Sequence, residues 1–233
     1  MAEKGILTIF GAAGATGRRV VEEARAAGWH VRAVEVKWPA DAGPAGDVER
    51  YTADVLSDDL GPMVRGADAV ISALGVGLDP ATLLDPPPLY TEGTLRIVKA
   101  MQAEGVHRLV VISASFVETW ERGPTHFRVA ARTALRNVVK EMEQMERILR
   151  ATETIEWTAV RPGWLMDGPK TGDYSVADGV IPADTIRSRH ADLAAFMVRL
   201  AGTRDWVRGT PAIARPEPEE ASSPQAVLRE LSG

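Results

Sequence analysis

Short apolar runs alternate along the chain with longer stretches in which apolar and polar residues recur at helical spacing. The short runs are rich in β-branched residues and are mostly bounded by glycine or proline, which is typical of strands buried on both faces. The predicted strands cover residues 6–10, 30–36, 49–53, 69–74, 109–113 and 157–160. The predicted helices cover residues 18–27, 91–104, 127–151 and 191–201.

Alternating strands and helices indicate βαβ units, whose right-handed crossovers place parallel strands in one sheet with helices on both faces. We therefore predict an α/β fold, a doubly wound parallel sheet with a small C-terminal substrate lobe. Ligands bind such sheets at the carboxyl ends of the strands. Within a domain of residues 1–210, the long connections at 77–90 and 163–188 are the predicted substrate loops. Residues 211–233, rich in Pro and Glu, are predicted to form a surface tail.

A glycine-rich turn follows the first predicted strand directly. Gly11, Gly14 and Gly17 have the spacing G-x-x-G-x-x-G and open the first predicted helix. Such glycines permit a tight turn, the approach of a phosphate and close packing of the helix on the sheet. The positive end of that helix favours an anion, so the turn predicts a Rossmann-type site for the pyrophosphate of NAD or NADP. The cofactor contacts predicted at this turn are Gly11, Ala13, Gly14, Ala15, Thr16, Gly17 and Arg18.

The turn and several later segments resemble the short-chain dehydrogenase/reductase superfamily in its extended and atypical branches. More specifically, they are similar to the NAD(P)H-binding family related to the transcriptional regulator NmrA, and to its biliverdin IXβ reductase/flavin reductase relatives. The resemblance covers about residues 5–201 and is more specific for fold and cofactor than for substrate. Beyond the glycines, it is carried by R-R-V at 18–20, L-Y-T-E-G-T at 89–94, residues 108–113, W-T-A-V-R-P-G at 157–163, T-G-D-Y at 171–174 and R-H-A-D-L-A at 189–194.

The resemblance implies further cofactor contacts beyond the glycine turn. Asp54 and Val55 match the acidic pair that contacts adenine after the third strand. Residues 73–75 match the end of the fourth strand, which lines the cofactor. The contacts implied in this way are Asp54, Val55, Ala73, Leu74, Gly75, Ser113, Pro162 and Gly163.

The choice between NAD and NADP depends on charges at the end of the second predicted strand. Glu35 ends that strand, and an acid there can accept hydrogen bonds from both ribose hydroxyls and would repel a 2′-phosphate. Arg18 and Lys37 stand where NADP-using relatives hold the 2′-phosphate, but Val36 stands where such relatives often carry arginine. The balance favours NAD slightly, the alternative for Glu35 being a solvated charge.

Catalytic hydroxyls are expected after the fifth predicted strand, where the resemblance implies a serine or threonine that polarises a carbonyl. Ser113 and Ser115 both follow that strand. Ser115 matches the catalytic position of the extended branch, and Ser113 is nearer the nicotinamide. The alternative is that both hydroxyls only satisfy local backbone groups. Tyr90 and His126 are further candidate proton donors, although no spacing supports either of them.

The tyrosine and lysine that short-chain dehydrogenases place four residues apart have no counterpart in the predicted helix 127–151. Aligning Glu146 with the family's helix glutamate puts Val138 at the tyrosine position and Met142 at the lysine position. Lys140 lies two residues from each, or about 200° around a helix, so we expect it on the surface. This departure argues against alcohol–ketone chemistry with a tyrosine acid.

Aromatic side chains are concentrated on the loops expected over the same sheet edge. They suggest an apolar pocket in which a flat acceptor could stack against the cofactor. The alternative is ordinary packing of the loops. The candidate substrate contacts are Phe116, Trp120, Trp164 and Tyr174, with Phe127 nearby.

Composition excludes several other classes of function. The net charge of −5 argues against a nucleic-acid partner. The absence of cysteine excludes disulfides and thiolate metal sites and fits a cytoplasmic location. The four histidines are scattered, so no metal site is expected. No apolar run reaches the roughly 18 residues of a membrane span, so no membrane partner is expected. The sequence favours neither a monomer nor a homodimer.

These features favour an NAD(P)-dependent oxidoreductase that reduces a flat or conjugated small molecule, such as a flavin, quinone, bilin or natural-product intermediate. One alternative is a non-catalytic regulator of the NmrA type, which senses the redox state of the cofactor and binds a protein partner. A second alternative is an isomerase or epimerase that retains its NAD.

Overall fold

The computed structural model describes residues 5–43, 45–77, 79–118, 125–133, 135–223 and 225–226. The strands are β1 (Ile6–Phe10), β2 (His30–Glu35), β3 (Glu49–Thr52), β4 (Ala69–Ser72), β5 (Arg108–Ile112), β6 (Glu156–Pro162), β7 (Trp164–Met166), β8 (Ser175–Asp178), β9 (Arg187–Arg189) and β10 (Pro211–Ala214). The helices are α1 (Ala15–Ala26), α2 (Gly61–Val64), α3 (Pro80–Leu84), α4 (Thr94–Glu104), α5 (Thr125–Arg132), α6 (Arg136–Ala151) and α7 (His190–Ala201).

One large sheet with the strand order β3-β2-β1-β4-β5-β6-β10-β8 organises the fold. Every neighbouring pair in it is parallel except β10 and β8, which are antiparallel. The order reverses between β1 and β4, which is the switch point where such sheets bind ligands. The predicted α/β class with a doubly wound parallel sheet is therefore confirmed. The remaining strands, β7 and β9, pair in parallel outside this sheet.

Two apolar layers fix the helices on opposite faces of the sheet. Buried residues of α1 and α7 pack on one face, and those of α4 and α6 pack on the other. The two layers explain why the central strands β1, β4 and β5 are almost fully buried, since they are covered on both sides. A third apolar cluster lies under the loops beyond β6 and includes Phe116, Phe127 and Trp164.

The predicted helix 127–151 is wrong as a single element, because the structure has two helices, α5 and α6, in its place. At the end of α5 the Thr133 hydroxyl donates a hydrogen bond to the Val129 carbonyl at 2.8 Å. Such back-bonding by a β-branched residue competes with regular helix hydrogen bonding. The apolar periodicity passes through the break and so conceals it.

The prediction of a surface tail from residue 211 is also wrong for its first part. Residues Pro211–Ala214 form β10, a fully buried strand between β6 and β8. Its proline is the first residue of the strand, where the missing N–H is tolerated. Beyond it, Arg189 donates two hydrogen bonds to the Glu217 carboxylate, at 2.6 and 2.8 Å, and Arg187 donates to the Ala221 carbonyl. The Pro and Glu content of this segment does not show these anchors.

Among the residues that the structure describes, none of the helices combines the length and the apolar content needed to cross a bilayer.

Deleting residues 211–233 tests the position of β10. We expect the shortened chain to be largely unfolded, because its loss leaves β6 and β8 without their shared partner and uncovers the third apolar cluster. A chain that ends at residue 226 keeps β10 and its anchors and is the control. Circular dichroism melts measure both, and a shortened chain with the melting temperature of the full chain would refute the assignment.

Candidate functional site

The glycine turn between β1 and α1 has the geometry that its spacing predicts. Gly11 has a φ of +73°, and an added Cβ would lie 2.7 Å from the Ala73 carbonyl oxygen. A Cβ at Gly17 would overlap the Gly11 carbonyl oxygen. Gly14 is exposed and donates its N–H to that same oxygen at 3.2 Å. Gly11 and Gly17 therefore hold the turn tight, and Gly14 leaves its outer side open.

The start of α1 is exposed at Gly14 and Ala15 and has no side-chain cap. No described side chain caps this helix end, and its first turn has no acidic residue. Gly14 and Ala15 are exposed, and Ala13 and Arg18 lie on either side of them. Because uncapped N–H groups and the helix dipole attract an anion, the turn can bind a pyrophosphate.

A histidine from the far end of the chain reaches this turn. The Thr16 hydroxyl and His190 Nδ1 are 2.7 Å apart, although 174 residues separate them in sequence. They meet because α1 and α7 lie side by side with both N-termini at the same sheet edge. The contact fixes the Thr16 hydroxyl beside the predicted pyrophosphate site.

Glu35 also reaches the glycine turn, from the end of β2. Its carboxylate accepts hydrogen bonds from the Ala13 N–H at 2.9 Å and from the Val36 N–H at 3.0 Å. A negative charge is thereby held next to the position expected for the ribose. Arg18 and Lys37 are both exposed.

The residues predicted to contact adenine and the middle of the cofactor lie along the neighbouring strand ends. The Asp54 carboxylate accepts from the Leu56 N–H at 2.8 Å, and Val55 is buried. Val55 and Leu74 both come within 3.5 Å of the space that a Cβ on Gly93 would fill. Gly75 is exposed, and a Cβ added there meets no described atom within 4 Å. The sheet edge is therefore open where Ala73, Leu74 and Gly75 follow the end of β4.

Ser113 and Ser115 have opposite hydrogen-bonding states. The Ser113 hydroxyl donates to Glu146 Oε1 at 2.7 Å. Ser115 lies in the 3₁₀ turn Ser115–Val117, and its buried hydroxyl has no hydrogen-bond partner among the described residues. An unpaired buried hydroxyl costs about 1–3 kcal/mol, and of the two serines it is Ser115 whose hydroxyl keeps its proton free to donate.

Glu146 belongs to a buried charge network. Arg161 donates two hydrogen bonds to its carboxylate, at 2.9 and 2.6 Å, and Arg150 donates a third at 2.8 Å. Arg161 also donates to Glu118 at 3.0 Å. Burial alone would lower the pKa of Arg161, but the Glu146 and Glu118 carboxylates raise it above its usual value. Arg161 therefore stays charged inside the protein.

The helix positions of the missing tyrosine and lysine are apolar in three dimensions as well. Val138 and Met142 are both buried in the core layer formed by α4 and α6. Lys140 is exposed, which confirms that it points away from this face. No ionisable side chain stands at the two positions where the short-chain dehydrogenase proton relay would begin.

The other candidate proton donors are Tyr90, which is buried, and His126, which is hydrogen-bonded to a backbone carbonyl. Tyr90 lies in the π turn Leu89–Gly93, where burial raises its pKa to about 12, far from the range in which a general acid works best. His126 Nε2 donates to the Ser222 carbonyl at 2.8 Å. Neither the burial of Tyr90 nor the hydrogen bond of His126 favours a role in proton transfer.

Phe116 and Trp164 pack into the third apolar cluster. Their rings meet edge to face at 6.2 Å, and Trp164 meets Phe127 in the same way at 5.1 Å. Phe116 and Trp164 are only 4% and 7% exposed, so neither presents an open face to a substrate in this conformation. The arrangement matches the alternative of loop packing, and contact with a substrate stays a prediction.

The other two predicted substrate contacts are not part of this cluster. Tyr174 packs edge to face on Phe196 of α7 at 5.8 Å, in the apolar layer on the opposite side of the sheet. Trp120 lies outside the described residues.

Pro162 ends β6, and Gly163 connects this strand to β7. A Cβ on Gly163 would overlap the Ile186 carbonyl oxygen, and its N–H donates to the Ser188 hydroxyl at 2.9 Å. Ser188 in turn donates to Ile213 of β10 at 2.6 Å. Gly163 therefore allows β7, β9 and β10 to meet closely.

The loop that follows β7 is fastened beside the glycine turn. Buried Asp192 of α7 accepts three hydrogen bonds of 2.8 Å, from the N–H and hydroxyl of Thr171 and the N–H of Gly172. Arg19 of α1 pairs with Asp167 at 2.9 Å. Part of the predicted loop 163–188 thus lies at the edge where the pyrophosphate is expected.

Comparison with known families decides the class of cofactor. Residues 11–204 match the family described as NAD(P)H-binding. The chain belongs to this NAD(P)H-binding family. The matched residues include the glycine turn, both serines after β5 and the Glu146–Arg161 pair.

Solved structures share the fold of this NAD(P)H-binding protein at low sequence identity. The oxidoreductase ylbE from Lactococcus lactis superposes with a TM-score of 0.73 at 18% identity, over 97% of each chain. A Streptococcus pneumoniae TIGR4 protein assigned by name to the NADH-flavin reductases gives 0.70 at 21%, over 90% of this chain and 99% of that chain. A wide-type short-chain dehydrogenase/reductase from Veillonella parvula DSM 2008, solved in complex with NADP, gives 0.71 at 17%, over 91% and 95%. At such identities the likeness concerns the fold alone.

The residues present fit an NAD(P)H cofactor. The uncapped start of α1 suits its pyrophosphate, and the open edge at Gly75 leaves room along the end of β4. The contacts of His190 and Arg161 were not predicted from the sequence. For Arg161 the sequence does contain a signal. An arginine inside an apolar strand and Glu146 on the apolar face of a helix are both expected to be buried, and buried charges of opposite sign are usually paired. For His190 the only signal is the motif R-H-A-D-L-A at 189–194, which does not reveal the contact with Thr16.

Replacing Gly17 with alanine tests the close approach in the turn. Helix propensity alone would make Gly17→Ala stabilising by about 1 kcal/mol. The overlap with the Gly11 carbonyl oxygen instead predicts destabilisation of about 1–3 kcal/mol, together with weaker NADH binding, because the turn must open. Thermal melts and titration of NADH fluorescence measure the two effects.

Gly75→Ala is the matched control for stability, since its added Cβ meets no described atom within 4 Å. A Gly17→Ala variant that is as stable as the Gly75→Ala variant and binds NADH normally would contradict the described geometry.

Proposed function

We propose that this chain is an NAD(P)H-dependent reductase of flat, conjugated acceptors such as flavins and quinones. The observation that carries the proposal is a combination of two features. The Ser115 hydroxyl has no partner among the described residues, while the positions expected for the catalytic tyrosine and lysine hold the apolar residues Val138 and Met142. A carbonyl reduced to an alcohol needs an enzymic acid, whereas a flavin or quinone can accept a hydride and take its proton from water. The site supports the second kind of acceptor better.

The residues at the sheet edge divide the work in this proposal. The bound cofactor supplies the hydride. The glycine turn and the start of α1 hold the pyrophosphate, and the open edge at Gly75 admits the rest of the cofactor. Ser115 donates a hydrogen bond to the acceptor oxygen that gains negative charge, which satisfies a hydroxyl that is otherwise buried without a partner.

A cofactor-binding regulator is the second candidate. The buried rings of Phe116 and Trp164 favour it, because a reductase of flat molecules would have to open this cluster before a ring could stack there. The turnover assay separates the two functions. Tight binding of NAD(P)H without oxidation by any acceptor would support the regulator and contradict the reductase.

The cytoplasmic location stays a prediction.

Steady-state turnover of Ser115→Ala tests the reductase. We expect the unmodified chain to oxidise NADH or NADPH with a flavin, a quinone or dichlorophenolindophenol as acceptor. Loss of the Ser115 hydroxyl should lower kcat roughly tenfold or more while the Kd for the cofactor stays unchanged, since the lost hydrogen bond stabilises the reduced acceptor. Absorbance at the cofactor band measures the rate.

Ser175→Ala, which changes an exposed serine on β8, is the control and should keep full activity. Equal turnover of Ser115→Ala and Ser175→Ala would remove Ser115 from the mechanism.

Glu35 gives the site a preference for NADH in this proposal. Its carboxylate is held beside the turn by the Ala13 and Val36 N–H groups, where a 2′-phosphate would be repelled. Exposed Arg18 and Lys37 oppose this preference, because their positive charges would attract a 2′-phosphate. The preference therefore depends on the charge of one carboxylate.

Glu35→Gln tests this charge. We expect the ratio of the NADPH Kd to the NADH Kd to fall roughly tenfold, which corresponds to about 1.4 kcal/mol. Glu22→Gln removes an exposed carboxylate from α1 and should leave the ratio unchanged. A tenfold preference of the unmodified chain for NADPH would overturn the assignment.

A further inference from the structure

The segment 113–118, which carries Ser115, is fastened at both ends to one buried ion pair. At its start, the Ser113 hydroxyl donates to Glu146 Oε1 at 2.7 Å. At its end, Glu118 Oε2 accepts from Arg161 Nη1 at 3.0 Å. Glu146 and Arg161 are themselves joined by two hydrogen bonds. The segment thus closes a ring of contacts with the unpartnered Ser115 hydroxyl near its middle.

The pair at the base of this ring is rigid. Glu146 is 0% exposed and Arg161 is 1% exposed. The guanidinium meets the carboxylate in the two-bond arrangement that fixes both planes, and Gly179 and Arg150 satisfy further groups of the pair. Both partners lie on regular elements, α6 and β6. A buried, bidentate pair on such elements is a firm support for a short segment.

The two serines have different roles in this ring because a hydroxyl has only one proton. Ser113 gives its proton to Glu146, so a ligand can only donate to its oxygen. Ser115 keeps its proton free for an acceptor atom. Because Glu146 accepts the proton of Ser113, Ser115 is the serine of the two that can donate to the substrate.

We propose that Glu146, Arg161 and Glu118 are positioning residues that hold Ser115 in place for the hydride acceptor. The inference rests on the proposed reductase function. Glu118 is the link that can be tested without disturbing the interior, because its side chain is 53% exposed while Arg161 keeps Glu146 as a partner. Loss of Glu118 frees the end of the segment and lets Ser115 move.

The position of residue 115 can be measured without any turnover, because the chain contains no cysteine. In Ser115→Cys the only thiol then reports on access to this position. We expect slow reaction with a thiol reagent, since Ser115 is buried. Adding Glu118→Ala should accelerate the reaction about tenfold or more, because a freed segment exposes the thiol more often.

Two further variants are matched to this measurement. Glu118→Gln keeps an oxygen that can accept from Arg161 and should restore the slow reaction. Glu143→Gln removes a carboxylate from an exposed pair with Arg147 on the same helix and should leave the rate unchanged. A Glu118→Ala rate equal to that of Glu143→Gln would overturn the proposal, whatever the activity of the chain.

Steady-state kinetics of variants that keep the native Ser115 then tests the link to catalysis. Glu118→Ala should lower kcat about tenfold while the Kd for NADH and the KM for NADH stay the same, because only the acceptor side is displaced. Glu118→Gln should recover most of kcat. A purely structural role would instead lower stability and leave the kcat of the folded protein unchanged, which would contradict the proposal.

The two readouts separate the proposals. If the unmodified chain oxidises no cofactor with any acceptor, the reductase function fails, and the thiol rates still decide whether Glu118 positions residue 115. If turnover is normal and Glu118→Ala changes neither the thiol rate nor kcat, the positioning role fails and the reductase function stands.

Discussion

The buried ion pair of Glu146 and Arg161 holds together the edge of the sheet at which the chemistry is expected. It joins α6 to β6 and, through Ser113, to the end of β5. Removing one partner of such a pair leaves an uncompensated charge in the interior, which costs about 3–5 kcal/mol. The strand ends and the segment with Ser115 therefore depend on this one contact, just as the glycine turn depends on the approach of Gly17 to Gly11.

The sequence predicted the parts of the fold that local pattern determines. The first six strands, the turn at Gly11, Gly14 and Gly17, and the exposed position of Lys140 all follow from periodicity and backbone freedom. They are predictable because each depends on residues close together in the chain. The same holds for the cofactor class, since the turn is a nearly complete local motif.

Features that depend on distant residues were not predictable in the same way. Strand β10 looks like part of a polar tail because its four residues are followed by a stretch rich in proline and glutamate, and only its neighbours β6 and β8 make it a strand. The break between α5 and α6 is hidden because the apolar spacing continues across it. The prediction of aromatics on loops is wrong for Trp164, which begins strand β7. Whether Phe116 and Trp164 face a ligand or each other depends on the pairing of β7 with β9.

The late position of β10 in the chain has a consequence for the order of synthesis. A ribosome delivers β1 to β6 with the glycine turn first, whereas β8 must wait for β10, which follows α7. Until then, the apolar side chains beneath the loops lack Ala212 and Ala214 as cover. The nascent protein therefore passes through a stage in which the nucleotide-binding edge can assemble while an apolar flank stays uncovered, and transiently exposed apolar surface of this kind is prone to aggregation.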